Sequence, residues 1–160
     1  MSNKLRYSML LCALLGAGFH AAAGATELPT TSAVRALAIS PDDPNLAWSA
    51  CPPLVFAPGC QLAVLHGDPA QPNADVLLRV PGGYRIAPHT HTSAERMILL
   101  SGQLEVQYAG SAAVTLDVGD YAYGPPGLAH EAKCLGKTPC TLFIAFELPV
   151  DALPHEGALD

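Results

Sequence analysis

The 160-residue sequence has little charge and few aromatic side chains. Charged residues make up 14% of the chain and aromatic residues 6%, and the Lys and Arg residues form no basic run. A nucleic-acid-binding surface needs clustered positive charge to neutralise phosphates, so we expect no nucleic-acid partner. Half of the residues are hydrophobic, which at this length predicts a single domain with one core.

Helical periodicity is also missing. After residue 26 no stretch of about ten residues keeps an apolar stripe with the period of an α-helix. Short apolar runs are instead separated by turn residues, and they lie at 61–65, 75–80, 95–100, 103–108, 113–118 and 141–148. Short strands at this spacing are typical of an all-β sandwich or barrel. A further strand is expected over 34–39.

The N-terminal residues 1–25 have the composition of an export signal. Lys4 and Arg6 precede a short apolar segment, and a run of small residues ends at Ala25. These are the three parts of a secretory signal peptide. A membrane anchor needs about 18 uninterrupted apolar residues, and His20 interrupts this run. We therefore expect cleavage after Ala25, a periplasmic or secreted mature protein and no stable membrane insertion; an uncleaved anchor or a lipoprotein is the alternative.

The sequence contains no C-x2-C pair, which argues against a zinc ribbon. Without residues 1–25 the chain retains four cysteines, namely Cys51, Cys60, Cys134 and Cys140. An even number of cysteines in an exported chain indicates disulfides, which four cysteines can form in three ways. We predict the local pairs Cys51–Cys60 and Cys134–Cys140, with free buried thiols as the alternative.

Three of the histidines lie in two short segments. His89 and His91 form an H-x-H pair, and alternation along a strand places both imidazoles on the same side. Glu95 lies at the predicted start of the next strand, and His130 follows a Pro-Pro-Gly turn. Three imidazoles and one carboxylate suit Mn, Fe, Ni, Co or Zn, and the set lacks the thiolates that Cu(I) and iron–sulfur clusters prefer.

The two segments resemble the motifs of the cupin superfamily. The first motif, G-x5-H-x-H-x3-E-x6-G, is filled at every position, by Gly83, His89, His91, Glu95 and Gly102. The second motif, G-x5-P-x-G-x2-H-x3-N, is filled by Gly119, Pro125, Gly127 and His130, with Cys134 in place of the final Asn. The spacing between the motifs is similar to that of small microbial cupins.

This resemblance implies an all-β jelly-roll barrel, or double-stranded β-helix, as a single domain at about 51–150. An N-terminal arm at 26–50 and a C-terminal tail at 151–160 flank it. The resemblance also implies that one divalent metal is bound inside the barrel by His89, His91, Glu95 and His130.

With open coordination positions for a substrate and dioxygen on the metal, the resemblance implies a metal-dependent, oxygenase-type enzyme that acts on a small enolic, phenolic or carboxylate substrate. Two alternatives use the same ligands: a non-redox lyase, decarboxylase or isomerase, and a non-catalytic binder or sensor of metal or small ligands, because cupins host both classes. Neither motif offers a clear general acid or base. The expected partner is a small molecule, and pairing into a homodimer is a further expectation.

Several other residues are weaker candidates for the walls of the site. Met97 and Leu99 share the side of Glu95 by alternation and are predicted to form an apolar wall. Arg79 would meet a substrate carboxylate if it pointed inward, although a solvent-facing position is favoured. Packing or exposure is likewise favoured over a place at the cavity mouth for Tyr84, Arg85, Tyr121 and Tyr123.

Overall fold

The computed structural model describes residues 36–159, over which the chain forms β-strands and no helix. The signal-peptide prediction for residues 1–25 lies outside this range. The strands are β1 (Ser49–Ala50), β2 (Gln61–His66), β3 (Ala74–Val80), β4 (Arg85–Thr90), β5 (Glu95–Ser101), β6 (Leu104–Tyr108), β7 (Val114–Leu116), β8 (Tyr121–Gly124), β9 (His130–Cys134), β10 (Cys140–Phe146) and β11 (Leu153–Pro154). No helix in the described part of the chain is long and apolar enough to cross a membrane.

The strands form two antiparallel sheets. The first sheet has the order β1-β2-β3-β10-β5-β8, and the second has the order β11-β4-β9-β6-β7. Because strands that are distant in sequence are neighbours in both sheets, the chain passes repeatedly from one sheet to the other, as in a jelly roll. The predicted all-β, single-domain fold is confirmed.

One apolar core fills the space between the sheets. Val76, Leu78 and Val80 alternate along β3 and all belong to this core. Leu104 of the second sheet and Leu142 of the first meet in the same cluster, each with 1% of its surface exposed. Burial of apolar surface stabilises a fold by about 25 cal/mol per Å², so the alternating strands hold the two sheets together.

The six apolar runs found in the sequence all form strands, with ends that agree within two residues. The strand expected over 34–39 is not formed at the described residues 36–39. Leu37 is 58% exposed and Ile39 is 39% exposed, and no described strand pairs with them. An extended apolar segment without a partner strand leaves its backbone groups to water and does not become part of a sheet.

The two disulfides join the predicted pairs, Cys51 with Cys60 and Cys134 with Cys140. The second bond connects the end of β9 in one sheet to the start of β10 in the other. Gly102 lies beside it with φ of 79°, and a Cβ there would be 2.8 Å from the Pro139 oxygen and 2.9 Å from Cys140 Sγ. Glycine is therefore required where the turn after β5 meets the disulfide.

Both flanking segments contribute strands to the barrel. The last two residues of the predicted N-terminal arm form β1, which pairs with β2. In the predicted C-terminal tail, β11 pairs with β4. Leu159 is buried, and its carbonyl oxygen accepts a hydrogen bond from the Gly110 amide at 2.8 Å. The C-terminal residues up to 159 thus pack against the barrel.

Candidate metal centre

The second sheet brings two histidines and a tyrosine into one row. His89 on β4 lies opposite His130 on β9, which in turn lies opposite Tyr108 on β6. The register of β4 and β9 shifts between Ile86 and His89, and such bulges change the direction in which a side chain points. His91 follows the last residue of β4, so the H-x-H pair sits at the end of this strand.

The first sheet supplies the carboxylate. Glu95 is the first residue of β5 and lies between Phe146 of β10 and Gly124 of β8. The buried Ser93 hydroxyl fixes the loop before it by accepting hydrogen bonds from the backbone amides of Glu147 and Leu148, just after β10, at 2.8 and 2.9 Å. A Cβ on Gly124 would lie 3.2 Å from Cε1 of the Tyr108 ring and 3.4 Å from Glu95 Oε2. The glycine therefore lets the Tyr108 ring pack closely beside the carboxylate.

The structure brings together all four residues named from the sequence. One ring nitrogen from each of His89, His91 and His130 lies within 4.8 Å of the others. Glu95 Oε2 is 3.3 Å from His130 Nε2, and Glu95 Oε1 is 3.8 Å from His91 Nε2. All four side chains are buried. Three nitrogens and one oxygen from two sheets thus converge inside the barrel.

Hydrogen bonds to backbone carbonyls fix the orientation of the rings. Each imidazole places its Nδ1 against a carbonyl oxygen, and the pairs are His89 with Ala87 at 2.7 Å, His130 with Leu128 at 3.3 Å and His91 with Asp151. A neutral imidazole that donates Nδ1–H keeps the lone pair of Nε2 free for a metal. The three Nε2 atoms are therefore the atoms that could bind a metal.

The site favours the charge states that a metal requires. Burial, together with the neighbouring His130, lowers the pKa of His89 to about 4. Burial would raise the pKa of Glu95, but the contact with His130 and the charges of the three imidazoles hold it below its usual value. At neutral pH His89 is therefore neutral and Glu95 is ionised, the forms in which these side chains coordinate metals.

Two buried atoms lack a partner that a metal would provide. Among the described residues, His91 Nε2 and Glu95 Oε2 form no hydrogen bond. A buried polar atom without a partner is unfavourable, and a buried charge is more so. A divalent cation between the two sheets would satisfy both atoms. Three imidazole nitrogens and a carboxylate match Mn, Fe, Co, Ni or Zn, so the residues present fit a divalent transition metal.

An apolar cavity of about 90 Å³ adjoins the four donors. This volume holds several water molecules or one small organic molecule. Its wall includes Met97, as the alternation along β5 predicts, whereas Leu99 packs in the core without lining the cavity. No Lys or Arg among residues 36–159 lines it, and its apolar side chains include Phe56, Leu62, Ile86, Leu142, Ile144 and Phe146.

Sequence reasoning missed Tyr108. Its ring lies 5.2 Å from the His130 ring, and its hydroxyl is buried without a hydrogen-bond partner among the described residues. Burial raises the pKa of this phenol, and the negative charge of Glu95 raises it further, so the hydroxyl keeps its proton. Only the pairing of β6 with β9 places Tyr108 opposite His130, and nothing in the motifs indicates that pairing.

The polar and aromatic candidates from the sequence lie outside the cavity wall. The Arg79 guanidinium stacks 4.2 Å from the centre of the Trp48 ring and donates a hydrogen bond to the Pro41 carbonyl at 3.1 Å. Tyr84 donates its hydroxyl to the Ala57 carbonyl at 2.5 Å. The exposed side chains are Arg85, Tyr121 and Tyr123. Packing and exposure therefore account for all five.

Comparison with protein families gives a match over residues 76–146, to the family described as Cupin domain. No curated protein matches the sequence. Among solved structures, the chain is similar to an RmlC-like cupin from Shewanella frigidimarina, with 20% identity and a TM-score of 0.55. The similarity covers 66% of this chain and 86% of that one.

Two enzymes in that set share the fold. The DMSP lyase DddQ from Ruegeria pomeroyi is 18% identical with a TM-score of 0.61, over 71% of this chain and 64% of that one. Bacillus subtilis oxalate decarboxylase, whose Mn(II) centres have been characterised, is 20% identical with a TM-score of 0.52, over 60% of this chain and 28% of that one. The chain thus spans less than two thirds of either enzyme, and these similarities establish the fold alone.

Proposed function

We propose that the protein, whose residues 76–146 match the family described as Cupin domain, is an exported, metal-dependent cupin enzyme of the oxygenase type. Its substrate is a small enolic, phenolic or carboxylate molecule whose oxygen atoms suit a divalent metal. The observation that carries this proposal is that the four donors lie in the wall of an apolar cavity. A structural metal site is closed by its own ligands, whereas this one faces a space for a second molecule.

His89, His91, His130 and Glu95 would hold the metal, which when bound supplies Lewis acidity and, as iron or manganese, redox chemistry. The residues of the chain orient the ligands and shape the space beside them. The Nδ1 hydrogen bonds keep the rings in place before any metal binds. Glu95 would offset one of the two charges of a bound divalent ion, and the remaining positive charge would favour an enolate, phenolate or carboxylate oxygen. The apolar walls exclude water from that oxygen.

The absence of a free base supports oxygenase chemistry over proton abstraction. Lyases and isomerases commonly use a side chain to move a substrate proton. Among the described residues that line the cavity, Asp151 is the only titratable one besides the four donors. Its carboxylate oxygens already accept hydrogen bonds from the Thr92 amide at 2.9 Å and the Thr92 hydroxyl at 2.7 Å.

The neighbouring enzymes and the disulfides support the remaining parts of the proposal. A DMSP lyase and a manganese-containing oxalate decarboxylase have this fold, so metal-dependent catalysis suits such a barrel. Two local disulfides are typical of proteins that fold in an oxidising compartment, which agrees with the export signal expected at residues 1–25.

Oxygen consumption tests the assignment. Protein loaded with Fe(II) or Mn(II) is mixed with catechol, with an enolisable 1,3-diketone or with a simple carboxylic acid. We expect oxygen uptake coupled to loss of one of these compounds, and no uptake by the His130→Ala variant. Conversion without oxygen uptake would instead indicate a lyase, decarboxylase or isomerase, and saturable binding without conversion would indicate a binder.

Filling the cavity is expected to block the substrate and spare the metal. Ala132 lies on β9, is 9% exposed and lines the cavity. Leucine at this position would occupy the space beside His130. We expect Ala132→Leu to weaken binding of a phenolic probe about tenfold or more, because forcing extra methylenes into a packed space costs about 1–3 kcal/mol and about 1.4 kcal/mol is a factor of ten. Calorimetric titration of the metal-loaded protein measures this affinity, and elemental analysis measures the metal.

Ala122→Leu is the matched control. Ala122 is 8% exposed and belongs to the same core, but it does not line the cavity. We expect Ala122→Leu to lower the free energy of unfolding by about 1–3 kcal/mol, the cost of extra methylenes in a packed core, and to leave probe affinity unchanged. If Ala132→Leu bound the probe as tightly as the wild type, the cavity would not be the substrate site.

A further inference from the structure

The C-terminal residues 150–159, here called the C-terminal strap, cross the end of the barrel that holds the metal centre. Leu153 and Pro154 of the strap pair with Thr90 and His89 at the end of β4. The first three residues of the strap line the cavity beside the four donors. The strap therefore forms part of the wall of the site, although it lies outside both sequence motifs.

One residue of the strap makes two kinds of contact with the H-x-H segment. The carboxylate of Asp151 accepts hydrogen bonds from the Thr92 amide at 2.9 Å and from the Thr92 hydroxyl at 2.7 Å. Its backbone carbonyl oxygen accepts the Nδ1–H of His91. Asp151 Oδ1 also lies 3.9 Å from His91 Nδ1. The side chain of Asp151 thus fixes the peptide group that orients His91.

His91 differs from the other two histidines in the position of the carbonyl that accepts its Nδ1–H. The rings of His89 and His130 use carbonyls only two residues away in the chain, so their own backbone orients them. The carbonyl that His91 uses is 60 residues away. Among the described residues, His91 Nδ1 forms a hydrogen bond with no other group, so without a fixed strap the tautomer with the proton on Nε2 becomes accessible. That tautomer cannot coordinate a metal through Nε2.

We propose that Asp151 is a positioning residue of the metal centre. Its carboxylate binds Thr92 and so fixes the Asp151 carbonyl, which orients His91 with Nε2 toward the cavity. The inference rests on the proposed function in that it takes His91 to be a metal ligand. Other bonds hold the strap independently of Asp151: the His155 amide donates to the Pro88 carbonyl at 2.9 Å, and Gly110 bonds Leu159 at the far end. Removal of the Asp151 side chain should therefore loosen the carbonyl and leave the strap in place.

The test combines a spectroscopic measurement on the metal-free protein with a metal titration. In Asp151→Ala, histidine ¹⁵N NMR of the metal-free protein should show that His91 has changed from one tautomer, with the proton on Nδ1, to a mixture of both. His89 and His130 should be unchanged. Affinity for Mn²⁺ should fall by about tenfold, at the lower end of the range of about 10–100-fold for the loss of a partner behind a metal ligand. Asp151→Asn keeps an acceptor for the Thr92 amide and should restore most of both.

Asp43→Ala is the matched control. Asp43 Oδ1 accepts hydrogen bonds from the amide and the side chain of Asn45 at 2.8 and 2.9 Å, a similar grip on a neighbouring turn, and it does not line the cavity. It should change neither the tautomer nor the affinity. If Asp151→Ala prevented folding, Thr92→Val, which removes only the hydroxyl bond, should shift both readouts in the same direction by a smaller factor.

Failure of the positioning role of Asp151 can be distinguished from failure of the proposed metal site. An unchanged His91 tautomer in both Asp151→Ala and Thr92→Val would overturn the positioning role, whatever the metal affinity. A wild-type protein that binds no Mn²⁺ would overturn the proposed metal site, while the tautomer shift in metal-free protein would still support Asp151 as the group that orients His91.

Discussion

Combining Glu95→Gln with His130→Ala is expected to abolish metal binding under conditions in which the wild type holds one divalent ion per chain. The first change keeps the size of the side chain and removes the buried negative charge, and the second removes a nitrogen ligand. Since loss of an outer partner alone costs about 10–100-fold in metal affinity, loss of two ligands should exceed about 100-fold. Elemental analysis and competition with a coloured chelator measure the effect.

The control for this experiment uses the same residue types elsewhere. His66 and Glu156 are both exposed and lie outside the cavity wall. The double variant His66→Ala, Glu156→Gln should bind metal as the wild type does. Equal metal content in the wild type and the Glu95→Gln, His130→Ala variant would show that the assigned ligands are wrong.

Loss of the Cys134–Cys140 disulfide is expected to lower the free energy of unfolding by about 2–3 kcal/mol, the entropic value for a short loop. The cysteines are six residues apart and both are fully buried. Urea unfolding of Cys134→Ala, Cys140→Ala should show a lower midpoint. The metal affinity should not change, because Cys134 lies at one end of β9 and His130 at the other.

The Cys51→Ala, Cys60→Ala variant provides the comparison. Its loop is slightly longer, with a separation of nine residues, so the entropic loss should be similar. Mass mapping under non-reducing conditions should give both local bonds. Four thiols that react with an alkylating agent in rapidly trapped protein would contradict the disulfides, and an unchanged urea midpoint would contradict their contribution to stability.

The full set of four candidate donors came from the resemblance to the cupin motifs, and the period of two in sheet geometry accounts for part of it. Alternation alone puts His89 and His91 on one side, and a strand start at Glu95 follows from the apolar run behind it. The turn before His130 is encoded locally by Pro125, Pro126 and Gly127. These features depend on residues close together in the chain, whereas the convergence of His130 and Glu95 with the H-x-H pair depends on the pairing of β4 with β9 and on the two sheets facing each other.

The residues that support the histidines were not predictable, because they meet them through contacts between distant parts of the chain. Tyr108 meets His130 only through the register of β6 with β9, and Asp151 meets His91 across 60 residues. Neither relation has a local signal. The strand expected over 34–39 was predicted from a local pattern and is not formed at 36–39. A suitable apolar pattern forms a strand only where a neighbouring strand is available.

Anomalous X-ray scattering from crystals grown with Mn²⁺ tests the metal centre most directly. We expect one strong peak per chain, within bonding distance of Nε2 of all three histidines and of the Glu95 carboxylate, and the loss of that peak in the Glu95→Gln, His130→Ala variant. A peak bound by other residues, or an empty His89–His91–His130 cluster at saturating Mn²⁺, would contradict the assignment of this cavity as a metal-dependent active site.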